Sequence, residues 1–169
     1  LSDHELGSTI DILRRSHHID PGQITLEVTE TALITEPRRA CKILEELVSL
    51  GFNISIDDFG TGYSSLSYLR DFPIHEIKID KSFVQSVQND RRNSYISEAI
   101  LGLARPFDAI SLAEGIENIG LFNQMKFMGC DIAQGYYISQ PVTAAEFTEW
   151  QTEWNANGGK AISLVTEQD

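Results

Sequence analysis

Asn53-Ile-Ser-Ile-Asp-Asp-Phe-Gly-Thr-Gly-Tyr63 is the stretch that decides the fold. Ile54 and Ile56 alternate with polar neighbours, the period-two pattern of a strand with one buried face. The strand, predicted over 53–57, runs into the adjacent acids Asp57 and Asp58 and then a loop carrying Gly60 and Gly62. Adjacent carboxylates repel, so both stay ionised at low cost only where a cation or hydrogen-bond donors lie between them. Hard divalent ions such as Mg2+ or Mn2+ suit an all-oxygen ligand set. The stretch therefore reads as a metal-binding strand end followed by a loop.

Strand and helix signals alternate on both sides of it. Residues 3–18 read as a helix closed by the Asp20-Pro21-Gly22 turn, and 24–28 as a strand. The next helix takes Thr35 as its cap and Pro37 in its first turn. It places Ala40, Ile43, Leu44, Leu47 and Val48 on one face and ends at Gly51. After the acid pair come a short helix near 64–70, a strand at 76–80, and a helix marked by Ile96, Ala99, Ile100, Leu103 and Ala104. A strand at 110–113 leads to a helix from its cap Asn118 through Met125 to Gly129, and a final strand lies around 131–137. Thr143-Ala-Ala-Glu146 is a capping box that opens the last helix.

Five strand–helix units in succession predict an α/β fold with parallel strands, an incomplete (β/α) barrel of the TIM type. A complete barrel has eight strands and about 250 residues. The shortfall falls on the N-terminal side, because the reading opens on a helix. Residues 1–154 are expected to form one domain, and the polar residues 155–169 a tail with little to bury.

Composition narrows the function. A net charge of −12 over 169 residues argues against binding nucleic-acid polymers, which favour basic surfaces. It leaves room for a small phosphate ligand, since bound metal reverses the local charge. No apolar run reaches membrane-spanning length, and the start lacks a signal-peptide pattern. Cys41 and Cys130 belong to no CxxC pairing and read as free thiols of a reducing, cytoplasmic compartment. Because the first residue is Leu1, the chain is expected to be a piece of something longer.

Each predicted strand ends, or nearly ends, in a polar residue: Glu27, then Asp57 with Asp58, Lys78 with Asp80, Glu114, and Gln134. In parallel α/β architectures the C-terminal strand ends converge on one face, where ligands bind. Carboxylates around one lysine suit two divalent metals activating water for phosphoryl hydrolysis. The lysine would either orient the nucleophile with a depressed pKa or neutralise a developing oxyanion. Taken singly these residues say little; a lone glutamate is commonly a solvated cap, and Lys78 alone could snorkel at a barrel rim. Five in register are hard to explain as chance.

The motifs Leu26-Glu-Val-Thr-Glu30, Asp57-Asp-Phe-Gly-Thr-Gly-Tyr-Ser-Ser65, Ile77-Lys-Ile-Asp80, Ala113-Glu-Gly-Ile-Glu117 and Gln134-Gly-Tyr136 resemble, in order, the signatures of the EAL-domain family. That family comprises bacterial phosphodiesterases for cyclic di-GMP built on a modified (β/α)8 barrel. The resemblance runs from residue 1 to about 150. It implies that Glu27 binds a first metal, that Asp57 bridges two, and that Asp58 and Glu114 hold the second. It implies that Lys78 contacts the attacking water as base or electrostatic helper, that Gln134 helps position that water, and that Glu30 tethers the 59–65 loop. The implied reaction opens cyclic di-GMP to linear pGpG with Mg2+ or Mn2+. Asp80, Glu117 and Pro141 are supporting candidates that structural roles explain equally well. Phe59 and Tyr63 read as loop anchors.

Two departures qualify the resemblance. Asn118 stands where the family usually has threonine, and it caps a helix equally well. The Glu-Ala-Leu motif that names the family does not occur in these residues, nor do the neighbouring arginine and the asparagine ligand of the following strand. The first metal site is therefore expected to be incomplete, leaving Glu27 and Asp57, and the chain alone to be weak or inactive. Its open sheet edges give a homodimer a physical motive. The alternatives are a non-catalytic module that binds cyclic di-GMP or another protein, and some other metal-dependent barrel hydrolase.

Overall fold

The computed structural model describes residues 6–62 and 70–157. Five strands, β1 (Thr25–Thr29), β2 (Asn53–Phe59), β3 (Glu76–Ile79), β4 (Ile110–Ala113) and β5 (Ile132–Ala133), form one sheet in the order β1-β2-β3-β4-β5. Every pairing is parallel. Sequence order equals spatial order, which is the course that successive strand–helix crossovers of one hand follow into a TIM-type barrel. Among the described residues the sheet does not close: β1 and β5 each keep one unpaired edge.

The helices are α1 (Leu6–Ser16), α2 (Glu30–Thr35), α3 (Pro37–Ser49), α4 (Lys81–Ser86), α5 (Arg91–Ala104), α6 (Ile119–Met128) and α7 (Ala144–Ala156). They bury one face of the sheet. Ile54, Ile56, Ile77 and Ile79 from the strands pack with Leu44 and Leu47 of α3, Val84 of α4, Ile100, Leu101 and Ala104 of α5, and Met125 of α6. Strand alternation sends the intervening side chains to the other face. The register aligns Glu27 with Ser55, Thr29 with Asp57, Ser55 with Glu76, and Lys78 with Leu112. The second face is therefore polar toward the C-terminal strand ends and apolar at Ile110, Leu112 and Ile132. No described helix is long and apolar enough to cross a membrane.

The strands fall within a residue or two of the expected positions, with one exception. The last was predicted over about 131–137 but spans only Ile132–Ala133. Gly135 passes so close to the β4–α6 loop that a Cβ there would lie 2.3 Å from the Ile116 backbone. Gln134 N still donates to Ala113 O of β4 at 2.9 Å, but from there the chain bonds that loop: Gln134 O accepts from Ile116 N at 3.0 Å, and Tyr137 N donates to Ile116 O at 2.9 Å.

Thr35 is not a cap. It is the last residue of α2, and its Oγ1 donates to Thr31 O at 3.0 Å, while α3 starts at Pro37 behind an uncapped Glu36. Neither α2 nor α4 was expected, since six residues are fewer than two turns and carry no clear period. The other caps form as read. Asn118 Oδ1 accepts from Leu121 N at 3.0 Å, Gly129 takes the left-handed conformation after α6, and Thr143 and Glu146 cap reciprocally. The helix expected near 64–70 and Tyr63 lie outside the described residues, apart from Arg70. The predicted domain end at 154 falls inside α7, and residues 158–169 are likewise outside.

Candidate metal centre

A strict strand alternation would send Asp57 and Asp58 to opposite faces, and one of them into the core. The pairing of β2 with β3 removes that conflict. Ile56 pairs with Ile77, but the next pair is Phe59 with Ile79, so three steps on β2 match two on β3. This is a β-bulge, one extra residue that re-aims side chains. Asp58 absorbs it in the left-handed region, φ +54°, which aspartate tolerates better than most residues. Phe59 consequently returns to the core, 2% exposed, while Asp58 stays in solvent beside Asp57. One carboxylate oxygen each from Asp57, Asp58 and Glu114 lie within 4.8 Å of one another.

Lys78 sits at the centre of the neighbouring group. Its Nζ is 2.9 Å from Glu27 Oε1, 3.0 Å from Asp57 Oδ1 and 2.8 Å from Glu114 Oε1. The four residues come from adjacent strands, on β1, β2, β3 and immediately after β4, so parallel register alone brings them together. Burial disfavours the ammonium, but the contacts with Glu114, Glu27 and Asp57 outweigh it and hold the Lys78 pKa above the ordinary lysine value. Three carboxylates within ion-pair distance set this sign; the depressed pKa was expected of a lysine beside bound metal ions. Asp58 moves upward too, through burial first, then the charges of Asp57 and Asp80, with Lys78 opposing.

The residues fit a divalent ion. Asp57 Oδ1 is buried and accepts no hydrogen bond, because Nζ approaches it at ion-pair distance but outside hydrogen-bond geometry. That oxygen faces the Lys78 ammonium, and the all-carboxylate chemistry of its neighbours suits a hard divalent ion at the same place. Asp57, Asp58 and Glu114 supply a three-carboxylate set around that point, with Glu27 2.9 Å from the same Nζ.

Glu30 does not join the cluster. It opens α2, is 4% exposed, and its Oε2 accepts from Gly60 N at 3.0 Å and Gly62 N at 3.3 Å. It thereby ties down the loop that leaves the acid pair. A Cβ at Gly62 would stand 3.0 Å from Glu30 Oε1, so the approach needs glycine, while Gly60 needs it for its φ of +94°.

Gln134, immediately after β5, lines a cavity of about 330 Å3 beside the cluster, together with Lys81, Gln85, Glu114, Glu117 and Tyr136. Glu117 Oε1 accepts from Gln85 Nε2 at 2.7 Å, a link between α4 and the β4–α6 loop, the structural role that was one of the two open to it. Asp80 caps α4, accepting from Ser82 N at 2.9 Å and from Ser82 Oγ. Pro141 lies in the exposed coil before α7 and is not part of the cavity wall.

A profile described as the EAL domain matches residues 1–141. The signaling protein YkoW of Bacillus subtilis is 39% identical over 137 residues, 81% of this chain and 17% of that protein. Among solved structures, the PaMucR phosphodiesterase in complex with c-di-GMP superposes with a TM-score of 0.84 at 34% identity, over 86% of this chain and 59% of that one. BlrP1 of Klebsiella pneumoniae, solved as a manganese and cyclic di-GMP complex, gives 0.77 at 28% identity, over 83% of this chain and 36% of that one. The chain thus spans about a sixth of the length of its curated relative YkoW.

Proposed function

The chain belongs to the EAL-domain family, and from that premise we propose that it carries most of the two-metal centre of a phosphodiesterase that opens cyclic di-GMP to linear pGpG. The observation that carries the reading is the bulge-aligned set Asp57, Asp58 and Glu114 beside the Lys78 contacts. Asp57, Asp58 and Glu114 would hold one ion, and Glu27 with Asp57 are this chain's contribution to the other. Mg2+ or Mn2+ is the ion that such carboxylates take. Bound divalent ions lower the pKa of water and neutralise charge on a phosphoryl oxygen.

The chain's own groups do the rest. Lys78, held as a cation, places positive charge where phosphoryl oxygens gain negative charge. It would act on the attacking water as base or as electrostatic helper, and its three carboxylate contacts favour the electrostatic role. Glu30 fixes the loop through Gly60 and Gly62, so that the bulge presents both aspartates. Gln134 lines the cavity beside Glu114, where it would help position the attacking water, and Glu117 of the same wall is held by Gln85. The half-buried free thiols Cys41 and Cys130 favour a cytoplasmic setting. Among the described residues β1 and β5 each keep an unpaired edge, which motivates pairing with a second copy that sedimentation would register as a dimer.

The test is incubation of the intact protein that carries this chain with cyclic di-GMP and Mn2+ or Mg2+, followed by chromatography. pGpG should accumulate, and D57N should stop it. Nucleotide binding without turnover by the intact protein would overturn the catalytic reading in favour of a binding module.

A further inference from the structure

Lys78 spends its ammonium on the same oxygens that metal ions would need. Nζ lies within 3.0 Å of Glu27, Asp57 and Glu114, one oxygen from each. An ammonium is a compact charge, and here it makes three ion pairs, each with a different carboxylate. Glu27 and Asp57 are the proposed ligands of one ion, and Asp57 and Glu114 belong to the set proposed for the other. A single side chain therefore stands between both sites, 4% exposed, with little room to share.

We propose that Lys78 is a resident counter-ion that competes with divalent metal for Glu27, Asp57 and Glu114, and that metal loading requires Nζ to withdraw from them. The proposal rests on the reading of the cluster as a metal centre and adds what that reading lacks, the group that sets the affinity. Two consequences follow from charge alone. Without a divalent ion, Lys78 is the cation that keeps mutually repelling carboxylates together, since it faces Glu27, Asp57 and Glu114 at once with Asp58 next to them. With the ion present, a like charge a few ångströms away opposes binding. Lys78 thus supports the fold of the centre and weakens its hold on metal.

The experiment titrates Mn2+ alone, without nucleotide, into the full chain and reads free Mn2+ by its electron paramagnetic resonance signal. K78M keeps the length of the side chain and removes its charge. It should bind Mn2+ with a Kd lower by about tenfold or more, because the competing charge is gone. K78R keeps the charge and should bind no tighter than the wild type. In Mn2+-free buffer K78M should melt at a lower temperature than the wild type, and Mn2+ should raise its Tm by more.

If the wild type binds Mn2+ and folded K78M binds equally or more weakly, the competition is overturned while the metal-centre reading stands. Tightening by K78R as much as by K78M would overturn it too, since charge would not be the cause. If neither wild type nor K78M binds Mn2+, the metal-centre reading fails and takes the competition with it. Should K78M be unfolded without Mn2+, refolding at Mn2+ concentrations that only half-load the wild type supports the proposal; failure to refold at saturating Mn2+ overturns it.

Discussion

The middle of the sheet and its two edges are different materials. In β2 and β3, Ile54, Ile56, Ile77 and Ile79 are fully buried under helices. At the β1 edge, Leu26 and Val28 are only half-buried, and Ile12 and Leu13 of α1 are 67% and 56% exposed. At the β5 edge, Phe127 is 87% exposed, and α7 buries none of its residues although Phe147, Trp150 and Trp154 form a ladder along it. Each helix in this topology packs across two neighbouring strands, so a terminal helix next to a free edge has only one strand to cover. The candidate site follows the same division. Asp57, Asp58, Lys78 and Glu114 stand on or beside the packed middle, whereas Glu27, 53% exposed, and Gln134 come from the edges.

The comparison predicts graded costs. Ile77→Ala should destabilise the chain by about 3–4 kcal/mol, because the surrounding helices cannot collapse into the gap. Leu26→Ala on the edge should cost about 1 kcal/mol, as a half-exposed side chain loses less contact. Urea unfolding of both reads the difference, and equal costs would erase the distinction. Next comes Glu30→Gln, which replaces a buried carboxylate acceptor by an amide whose NH2 can face Gly60 N and Gly62 N. It should cost about 1–3 kcal/mol through unpaired loop amides. It should also weaken Mn2+ binding, because the loop leaving Asp58 loses its anchor, and both effects can be followed in one sample by thermal melts with and without Mn2+.

Within the site, Glu27→Gln should raise the Mn2+ Kd less than Asp57→Asn does. Asp57 is the proposed shared ligand of both ions and has a buried oxygen without a hydrogen-bond donor, while Glu27 is half-exposed. The same Mn2+ titration checks this, and a larger effect at Glu27 would move the centre of the site to the edge.

What the sequence made legible was local chemistry. Asn118, Gly129 and the Thr143–Glu146 box announce helix ends because a cap needs only its own few neighbours. The strands and the convergence of Glu27, Asp57, Lys78 and Glu114 were readable because parallel register is a consequence of strand order. What stayed hidden was non-local or too short. A one-residue bulge at Asp58 leaves no mark in a period count, although an acid pair directly before Phe59 and Gly60 is where one would be sought. The six-residue α2 and α4 are too brief to show a helical face. The sign of the Lys78 shift depends on how many carboxylates reach Nζ, and β5 is cut short by the approach of Gly135 to Ile116. None of these is visible before the chain is folded.

The smallest expected effect is the sharpest test of the edge. Trp150 stacks on Trp154 with ring centroids 5.3 Å apart and leans on Phe147 at 5.7 Å, so by side-chain size alone Trp150→Ala should rank with the core substitutions. Its ring partners, however, belong to its own helix, and no residue of α7 is buried. A contact within one helix opens when that helix frays and is lost without unfolding the sheet. Trp150→Ala should therefore change the global urea midpoint by no more than corresponds to about 0.5 kcal/mol, while hydrogen exchange in residues 144–156 speeds up. A loss of about 3 kcal/mol or more, the range of a core aromatic, would mean that α7 folds as one unit with the middle strands, and the division between middle and edge would then have to be drawn beyond it.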